Sequence, residues 1–175
     1  MTKEMLGEEL MQAIVNAYQS GGKVLICGNG GLAAESEHFA AEMVGRFGKD
    51  VYIPCFALTA NTSLITALAN DIGFEEVFAH QVRTLGKKGD VLIAMTTSQS
   101  ADIMEAIEAG GEMGLFVAVI CGQKSVITSL CDTVTYRMQG EETAAIQNDI
   151  LSFLHYLAYN CKRRLKGESH KKADG

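Results

Sequence analysis

The sequence predicts an α/β fold: a single doubly wound domain with a five-stranded parallel sheet flanked by helices. Its apolar residues form short continuous runs bounded by Gly, Asp or Thr, and runs without polar alternation are typical of strands covered on both faces. Segments with helical periodicity separate these runs, and strands that alternate with helices indicate a parallel sheet. A chain of 175 residues is long enough to bury a sizeable core in one domain.

Each element is predicted from its own stretch of sequence. A first helix is expected over residues 4–19, where apolar residues recur at helical spacing until two glycines end the pattern, and the first strand, Lys23–Cys27, follows directly. The remaining predicted strands cover residues 51–58, 91–95, 115–121 and 133–137, and the remaining predicted helices cover residues 32–47, 62–68, 75–85, 100–113 and 142–165. Residues 1–165 are therefore expected to form the domain, and the polar, aperiodic residues 166–175 a loose tail.

Composition and charge exclude several classes of protein. Lys and Arg number 15 and Asp and Glu number 21, so the formal net charge is −6 and a nucleic acid backbone would be repelled. No apolar run approaches the roughly 18 residues of a membrane span, and the acidic N-terminus lacks the pattern of a signal peptide. The five cysteines are odd in number and form no CxxC pair, which favours reduced core thiols. We therefore expect a cytoplasmic protein that binds neither nucleic acid nor membrane.

The loop after the first strand, residues 28–33 (GNGGLA), formally matches the G-x-G-x-x-A dinucleotide fingerprint. A nicotinamide site also needs an acidic residue near the end of the second strand, and residues 59–61 (TAN) supply none. Two interpretations of the glycines are open. They form a tight turn between strand and helix, or they allow the backbone to approach a sugar or phosphate closely.

The loop after the third strand, TTSQS, carries four hydroxyls immediately before a helix that begins near Ala101. A helix N-terminus offers unpaired N–H groups and a partial positive charge, so added hydroxyl donors favour a binding site for a phosphate dianion. The alternative is a helix-capping Ser with polar neighbours, which accounts for one hydroxyl of the four. These hydroxyls belong to Thr96, Thr97, Ser98 and Ser100.

Four further polar residues lie on the two helices predicted beside this region. His38 and Glu42 are four residues apart, so they share one face of a helix that starts at the carboxyl edge of the sheet. Such a pair can share a metal ion or act as a base with its orienting partner, although most pairs of this kind are surface contacts. Gln147 and His155 are polar positions of the otherwise apolar last helix, where a lone His is commonly a core residue.

Taken together, these stretches resemble the phosphoheptose isomerases, a family with the sugar isomerase (SIS) fold. The resemblance rests on CGNGG, HFAAE, TTSQS, NDIGF and the AIQ…H spacing of the last helix, and it spans about residues 4–160. It implies an aldose–ketose isomerase that converts sedoheptulose 7-phosphate to D-glycero-D-manno-heptose 7-phosphate through an enediol. It also implies a role in supplying heptose for cell-surface polysaccharide such as lipopolysaccharide.

The same resemblance implies a set of site residues. One zinc ion per site is expected on His38, Glu42, Gln147 and His155, with Glu42 as general base and His155 as general acid. Contacts to the sugar phosphate are expected from Asn29, Gly30, Gly31, Arg46, Asp71, Thr96, Thr97, Ser98, Ser100 and Gln147.

The spacing of Gln147 and His155 adds a constraint. Eight residues span about 12 Å along a helix at 1.5 Å per residue, too far for both side chains to bind one metal ion from one straight helix. We infer that one of the two comes from a neighbouring subunit. The broad apolar surface of the last helix agrees with this inference, and the resemblance implies a homotetramer with active sites between subunits.

The sequence departs from the family pattern near the expected sugar. Leu32 stands where the family has Ser, the TTSQS loop is one residue shorter than the family's STSGNS, and Ala144-Ala145 replace an Asp-Arg pair. These changes favour an alternative function, a phosphosugar-binding regulatory or assembly protein of the same fold without catalysis, whereas the complete His/Glu/Gln set opposes it. A zinc hydrolase is a third, weaker interpretation, because no nucleophile–base pair accompanies the candidate ligands.

Overall fold

The strands form where the apolar runs lie. The computed structural model describes residues 7–48 and 50–167, and its sheet contains β1 (Val24–Cys27), β2 (Cys55–Ala57), β3 (Val91–Thr96), β4 (Phe116–Gly122) and β5 (Val134–Met138). Neighbouring strands are parallel and follow the order β2-β1-β3-β4-β5. Strands β1 and β3 are buried along their whole length, as expected for a sheet covered on both faces. The predicted α/β class and the five-stranded parallel sheet are confirmed.

Helices cover both faces of the sheet. Within the described chain they are α1 (Glu8–Gln19), α2 (Gly31–Val44), α3 (Thr62–Asp71), α4 (Glu76–Leu85), α5 (Ala101–Glu112) and α6 (Thr143–Leu165). Alternate side chains of β1 enter two separate cores, because successive residues of a strand point to opposite faces. Val24 and Ile26 pack with α1, α2 and α6, whereas Leu25 and Cys27 pack with α3, α4 and α5.

Helix α6 has partners on several sides within this chain. It packs against α1, α2, β4 and β5, and many of its apolar residues, among them Ile150, Leu154 and Leu157, are fully buried. Its broad apolar surface is therefore used within the subunit and does not by itself indicate a second one.

The largest difference from the predicted boundaries is in β2, which was expected over residues 51–58. Pro54 has no N–H to donate to a ladder, and the Ile53 N–H donates instead to the Met43 carbonyl of α2 at 2.9 Å. Residues 4–6 of the predicted first helix and residues 168–175 of the predicted tail lie outside the described residues. No helix in the described part of the chain is both long and apolar enough to cross a membrane.

The strand order creates a crevice at the carboxyl edge of the sheet. From β1 the chain passes to β2 at one edge, whereas β3 lies on the other side of β1 and leads toward β5. In open α/β sheets, ligands bind where the strand order reverses in this way. The glycine loop after β1 and the hydroxyl-rich loop after β3 are therefore neighbours, and we call residues 28–31 together with residues 97–100 the loop crevice.

The opposite edge of the sheet is held by Asp90, at the start of β3. This carboxylate is 2% exposed and accepts hydrogen bonds from the backbone N–H groups of Lys23 and Lys87, both at 2.9 Å. It also pairs with the Lys23 ammonium. One buried side chain thus connects the starts of β1 and β3, the two strands that flank the crevice at their other ends.

We expect Asp90→Ala to lower the free energy of unfolding by about 3 kcal/mol, because it leaves buried N–H donors and an ammonium without their acceptor. Urea denaturation of both proteins measures the difference. Asp132→Ala, at an exposed position, is the control and is expected to change stability by less than about 0.5 kcal/mol. An equally small change for Asp90→Ala would contradict the role given to this carboxylate.

Candidate active site

One face of α2 carries polar residues toward α6. Gly31, Glu35, His38 and Glu42 follow each other at spacings of four, three and four residues, which places them on one stripe of the helix. Gly31 lies against Gln147 of α6, since a Cβ at Gly31 would be 2.6 Å from the Gln147 amide nitrogen. The two helices therefore lie side by side along this stripe.

His38, Glu42 and His155 meet farther along the same stripe, and we call them the His–Glu cluster. Oε1 of Glu42 is 3.1 Å from Nε2 of His38 and 2.7 Å from Nδ1 of His155. The two imidazole rings are 5.1 Å apart, edge to face. The structure thus brings His155 to a pair that lies 113 residues earlier in the sequence, and one carboxylate oxygen orients both rings.

Glu42 is held in a largely dry environment. Its side chain is 7% exposed, and Oε2 is buried without a hydrogen-bond partner among the described residues. An unsatisfied buried carboxylate oxygen is costly and is commonly explained by a ligand or ion that completes the site. His38 and His155 are more accessible, so the cluster opens to solvent on its histidine side.

The His–Glu cluster fits a metal ion. One ligand atom from each of the three residues lies within 4.8 Å of the others. Imidazole nitrogen and carboxylate oxygen are common zinc ligands, and catalytic zinc sites usually have three protein ligands and one open position. The geometry and the unsatisfied oxygen of Glu42 therefore suit zinc without any residue from elsewhere in this chain.

Gln147 is not part of this cluster in the same chain. Its side chain contacts Gly31 at the start of α2, whereas His155 contacts Glu42, eleven residues farther along that helix. Gln147 is thus about 12 Å from His155 along α6, as its spacing in the sequence requires.

The loop crevice is bridged by a side-chain hydrogen bond. The Asn29 amide donates to Oδ2 of Asp102, in the first turn of α5, at 2.7 Å. Gly30 precedes α2 with a φ of 59°, a left-handed conformation that favours glycine. The predicted contacts Asn29, Gly30 and Gly31 therefore line one wall of the crevice. Asp102, which orients Asn29, was not singled out from the sequence.

The hydroxyl-rich loop forms the other wall. Thr96 Oγ1 donates to the Ser98 carbonyl at 2.7 Å and accepts from the Ser98 N–H at 3.2 Å, so this hydroxyl shapes the loop. Ser100 occupies the N-cap position of α5, and its side chain makes no capping hydrogen bond there. Ser100 thus stands at the N-cap position, as the capping alternative expects, but its hydroxyl does not cap the helix. The N–H groups of the first turn of α5 consequently lack that partner, as a phosphate-binding helix end requires.

A cavity of about 340 Å³ continues from this loop toward α6. Thr97 lies on its wall together with residues that follow β4 and β5 and the first turn of α6. These residues are Gly122, Gln123, Lys124, Gln139, Gly140, Glu141, Thr143 and Ile146. The cavity thus provides polar space directly beside the hydroxyl-rich loop.

Two predicted contacts lie outside the loop crevice. Arg46 is exposed in the turn after α2, on the side of the His–Glu cluster, and its Nε is 3.3 Å from Oδ1 of Asp50. Asp71 is exposed at the end of α3 and accepts a hydrogen bond from the Asn70 amide. The structure places neither residue in the loop crevice.

Comparisons with known proteins agree with this geometry. The SIS domain family matches residues 4–122. The phosphoheptose isomerase of Neisseria gonorrhoeae (strain NCCP11945) is 42% identical over 161 residues, covering 87% of this chain and 82% of that protein. The phosphoheptose isomerase of Rhodospirillum rubrum is 40% identical over 152 residues, covering 85% of this chain and 80% of that protein.

Solved structures give the same result. A phosphoheptose isomerase from Francisella tularensis superposes with a TM-score of 0.85 at 29% identity, covering 89% of this chain and 84% of that one. The enzyme from Neisseria gonorrhoeae superposes with a TM-score of 0.77 at 34% identity, covering 91% of this chain and 88% of that one. The chain belongs to the SIS domain family and, within it, to the phosphoheptose isomerases. The resemblance noted from the motifs is confirmed.

Position 32 is one of the departures from the family pattern noted in the sequence. Leu32 is 2% exposed and packs in the core between the sheet and α2. Its side chain therefore does not fill the crevice. Ala144 and Ala145 are exposed at the start of α6, where they leave the first turn short of polar groups.

Sequence reasoning missed Glu35, the remaining member of the polar stripe. Its Oε2 is buried without a hydrogen-bond partner among the described residues, and burial raises the pKa of Glu35 to about 7. The spacing of seven residues between Glu35 and Glu42 was the available signal, because it places both carboxylates on one helix face.

We expect Glu35→Gln to stabilise the protein at pH 8 but not at pH 4. When folding raises the pKa of a carboxyl, the group costs no stability at pH values below its ordinary pKa. The cost grows as the pH rises from the ordinary pKa to the folded-state pKa near 7, and it is constant above that. The gain at pH 8 should be about 1–2 kcal/mol, since partial solvent access reduces the full effect. Thermal unfolding at both pH values tests this, with Glu105→Gln in α5 as control. An equal gain at both pH values would contradict it.

Proposed function

We propose that this chain is an aldose–ketose isomerase that converts sedoheptulose 7-phosphate to D-glycero-D-manno-heptose 7-phosphate. The observation that carries the proposal is the His–Glu cluster, in which a buried carboxylate orients two histidines, in a member of the phosphoheptose isomerases. The loop crevice and its adjoining cavity support a phosphorylated sugar as the substrate.

The phosphate is held in the loop crevice. Hydroxyls of Thr97, Ser98 and Ser100 and the uncapped N–H groups of α5 would donate hydrogen bonds to the phosphate oxygens. No lysine is needed there, because the helix end itself favours a negative charge. Binding energy from this remote phosphate positions the carbons that react.

Proton transfer takes place at the His–Glu cluster. Glu42 removes the proton from C1 of the ketose, which gives a cis-enediol, and then returns a proton to C2. A carboxylate that is nearly excluded from water keeps little of its hydration shell, which favours reaction with a weak carbon acid. His155, held by Oε1 of Glu42, exchanges the proton between the two sugar oxygens.

Zinc is the cofactor that best suits this cluster. His38, Glu42 and His155 would hold it, and Gln147 is the fourth candidate ligand. When bound, zinc supplies a Lewis acid that polarises the sugar carbonyl and fixes the orientation of its ligands. The contact between Glu42 and His155 supports the proton-transfer roles that we propose for them.

The separation of Gln147 from the cluster supports an active site shared between subunits. His155 already reaches Glu42 within one chain, so Gln147 is the ligand that we assign to a neighbouring copy. The loop crevice lies near the start of α2, whereas Glu42 lies about 16 Å farther along that helix. A homo-oligomer, which we take to be a tetramer, would bring the crevice of one subunit to the cluster of another.

Incubation of the zinc-loaded protein with sedoheptulose 7-phosphate in deuterated water tests the reaction. We expect NMR to detect both the aldose product and exchange of the carbon-bound proton for deuterium. Glu42→Gln should lower kcat by about 10³-fold because the base is lost, while sugar phosphate still binds in the loop crevice, which Glu42 does not line. Glu37→Gln, an exposed carboxylate of the same helix, is the matched control and should retain turnover.

Two outcomes would overturn this assignment. Unchanged turnover in Glu42→Gln would exclude Glu42 as the base. Tight binding of sugar phosphate by folded, zinc-loaded protein with neither product nor exchange would favour the non-catalytic phosphosugar-binding function.

Mixing two inactive variants tests the shared site. We expect Glu42→Gln and Gln147→Ala each to be inactive. Their mixed oligomers should recover about a quarter of wild-type activity, because random assembly pairs an intact Glu42 with an intact Gln147 in that fraction of sites. The proteins are dissociated, mixed and reassembled before the assay. No recovery in oligomers shown to contain both variants would place both residues in one subunit's site.

A further inference from the structure

The turn after α2 is fastened to one face of α6. Phe47 lies against the His155 ring, with centroids 5.7 Å apart and planes at 32°. Gly48 has a φ of 70°, and a Cβ there would be 2.6 Å from the Tyr159 ring. His155 and Tyr159 are four residues apart, so this face of α6 supports the turn over successive helical turns.

Lys162 continues the same face, seven residues after His155. Its side chain is 0% exposed, which is unusual for lysine. Its Nζ donates a hydrogen bond to the Gly45 carbonyl at 2.6 Å, at the residue that ends α2. An ammonium group there also complements the negative end of the α2 dipole.

Charges around this lysine offset part of the cost of its burial. Burial lowers the pKa of Lys162, whereas the nearby carboxylates of Glu42 and Asp50 raise it. The two carboxylates flank the turn: Glu42 precedes it, in the His–Glu cluster, and Asp50 follows it and pairs with Arg46. The ammonium therefore contacts the turn directly and acts electrostatically on both of its ends.

We propose that Lys162 is a positioning residue of the active site: its hydrogen bond to Gly45 fixes the turn that presses Phe47 against His155 and presents Arg46. The catalytic consequence rests on the proposed isomerase function, whereas the positioning of the His155 ring does not. If the side chain at position 162 only filled space, Met would serve as well as Lys. Met matches lysine in length and avoids the cost of burying a charge.

The His155 ring provides a readout that is independent of the sugar. In protein with 13C-labelled histidine, the Cε1–H signal of His155 is identified by its loss in His155→Gln. The Phe47 ring shifts this signal in the wild type, so we expect Lys162→Met to move it in the same direction as Phe47→Leu does. Lys166→Met, at an exposed lysine of the same helix end, should leave it in place.

Turnover gives the second readout. We expect Lys162→Met to lower kcat/KM for sedoheptulose 7-phosphate about tenfold, because a small displacement of a catalytic group has a large effect on rate. Lys162→Gln keeps an N–H donor on a shorter side chain and should lose less. Lys166→Met should stay within twofold of the wild type.

These readouts separate the possible failures. An unmoved His155 signal with kcat/KM within twofold of the wild type would overturn the proposal. A shifted His155 signal in a protein that proves inactive on the sugar would support the positioning role and count against the isomerase function alone. If neither Lys162→Met nor Lys162→Gln folds, Lys162 serves stability and the proposal is overturned.

Discussion

The shared hydrogen bonds of Glu42 Oε1 are the contact on which the candidate site depends. They join α2 to α6 and fix two imidazole rings at once. Because α6 begins beside the cavity, the same helix pair also positions part of the cavity wall. Lys162 and Phe47 act on this helix pair from its far end. The geometry of the cluster and one wall of the cavity thus both depend on one helix–helix contact.

The architecture divides the proposed reaction between two ends of that pair. Phosphate recognition uses loop hydroxyls and a helix N-terminus at the carboxyl edge of the sheet. Proton transfer uses a buried carboxylate far along α2. Separation of this kind is a disadvantage for a monomer, since one small substrate must reach both ends. It becomes useful when a second copy brings its crevice to the first copy's cluster, and the position of Gln147 beside Gly31 agrees with that arrangement.

Much of the fold and part of the site could be predicted from the sequence. Continuous apolar runs located the strands, and the spacing of His38 and Glu42 placed them on one helix face. The contact of Glu42 with His155 crosses 113 residues, and no local pattern encodes it. Pro54 is visible in the sequence, but its effect on the start of β2 was not predicted. The role of Lys162 depends on complete burial of a residue type that is normally exposed. Local periodicity predicts elements, whereas long-range contacts decide which polar residues are buried together.

The departures from the family pattern are confined to one end of the helix pair. Leu32 and the shortened loop lie at the crevice, and Ala144-Ala145 lie at the start of α6, whereas His38, Glu42 and His155 are retained. Leu32 is accommodated in the core and does not narrow the crevice. Since about 16 Å of α2 separates the crevice from Glu42, changes in sugar recognition need not disturb the base. The substrate preference of this chain can therefore differ from that of its relatives while the proposed proton-transfer residues stay the same.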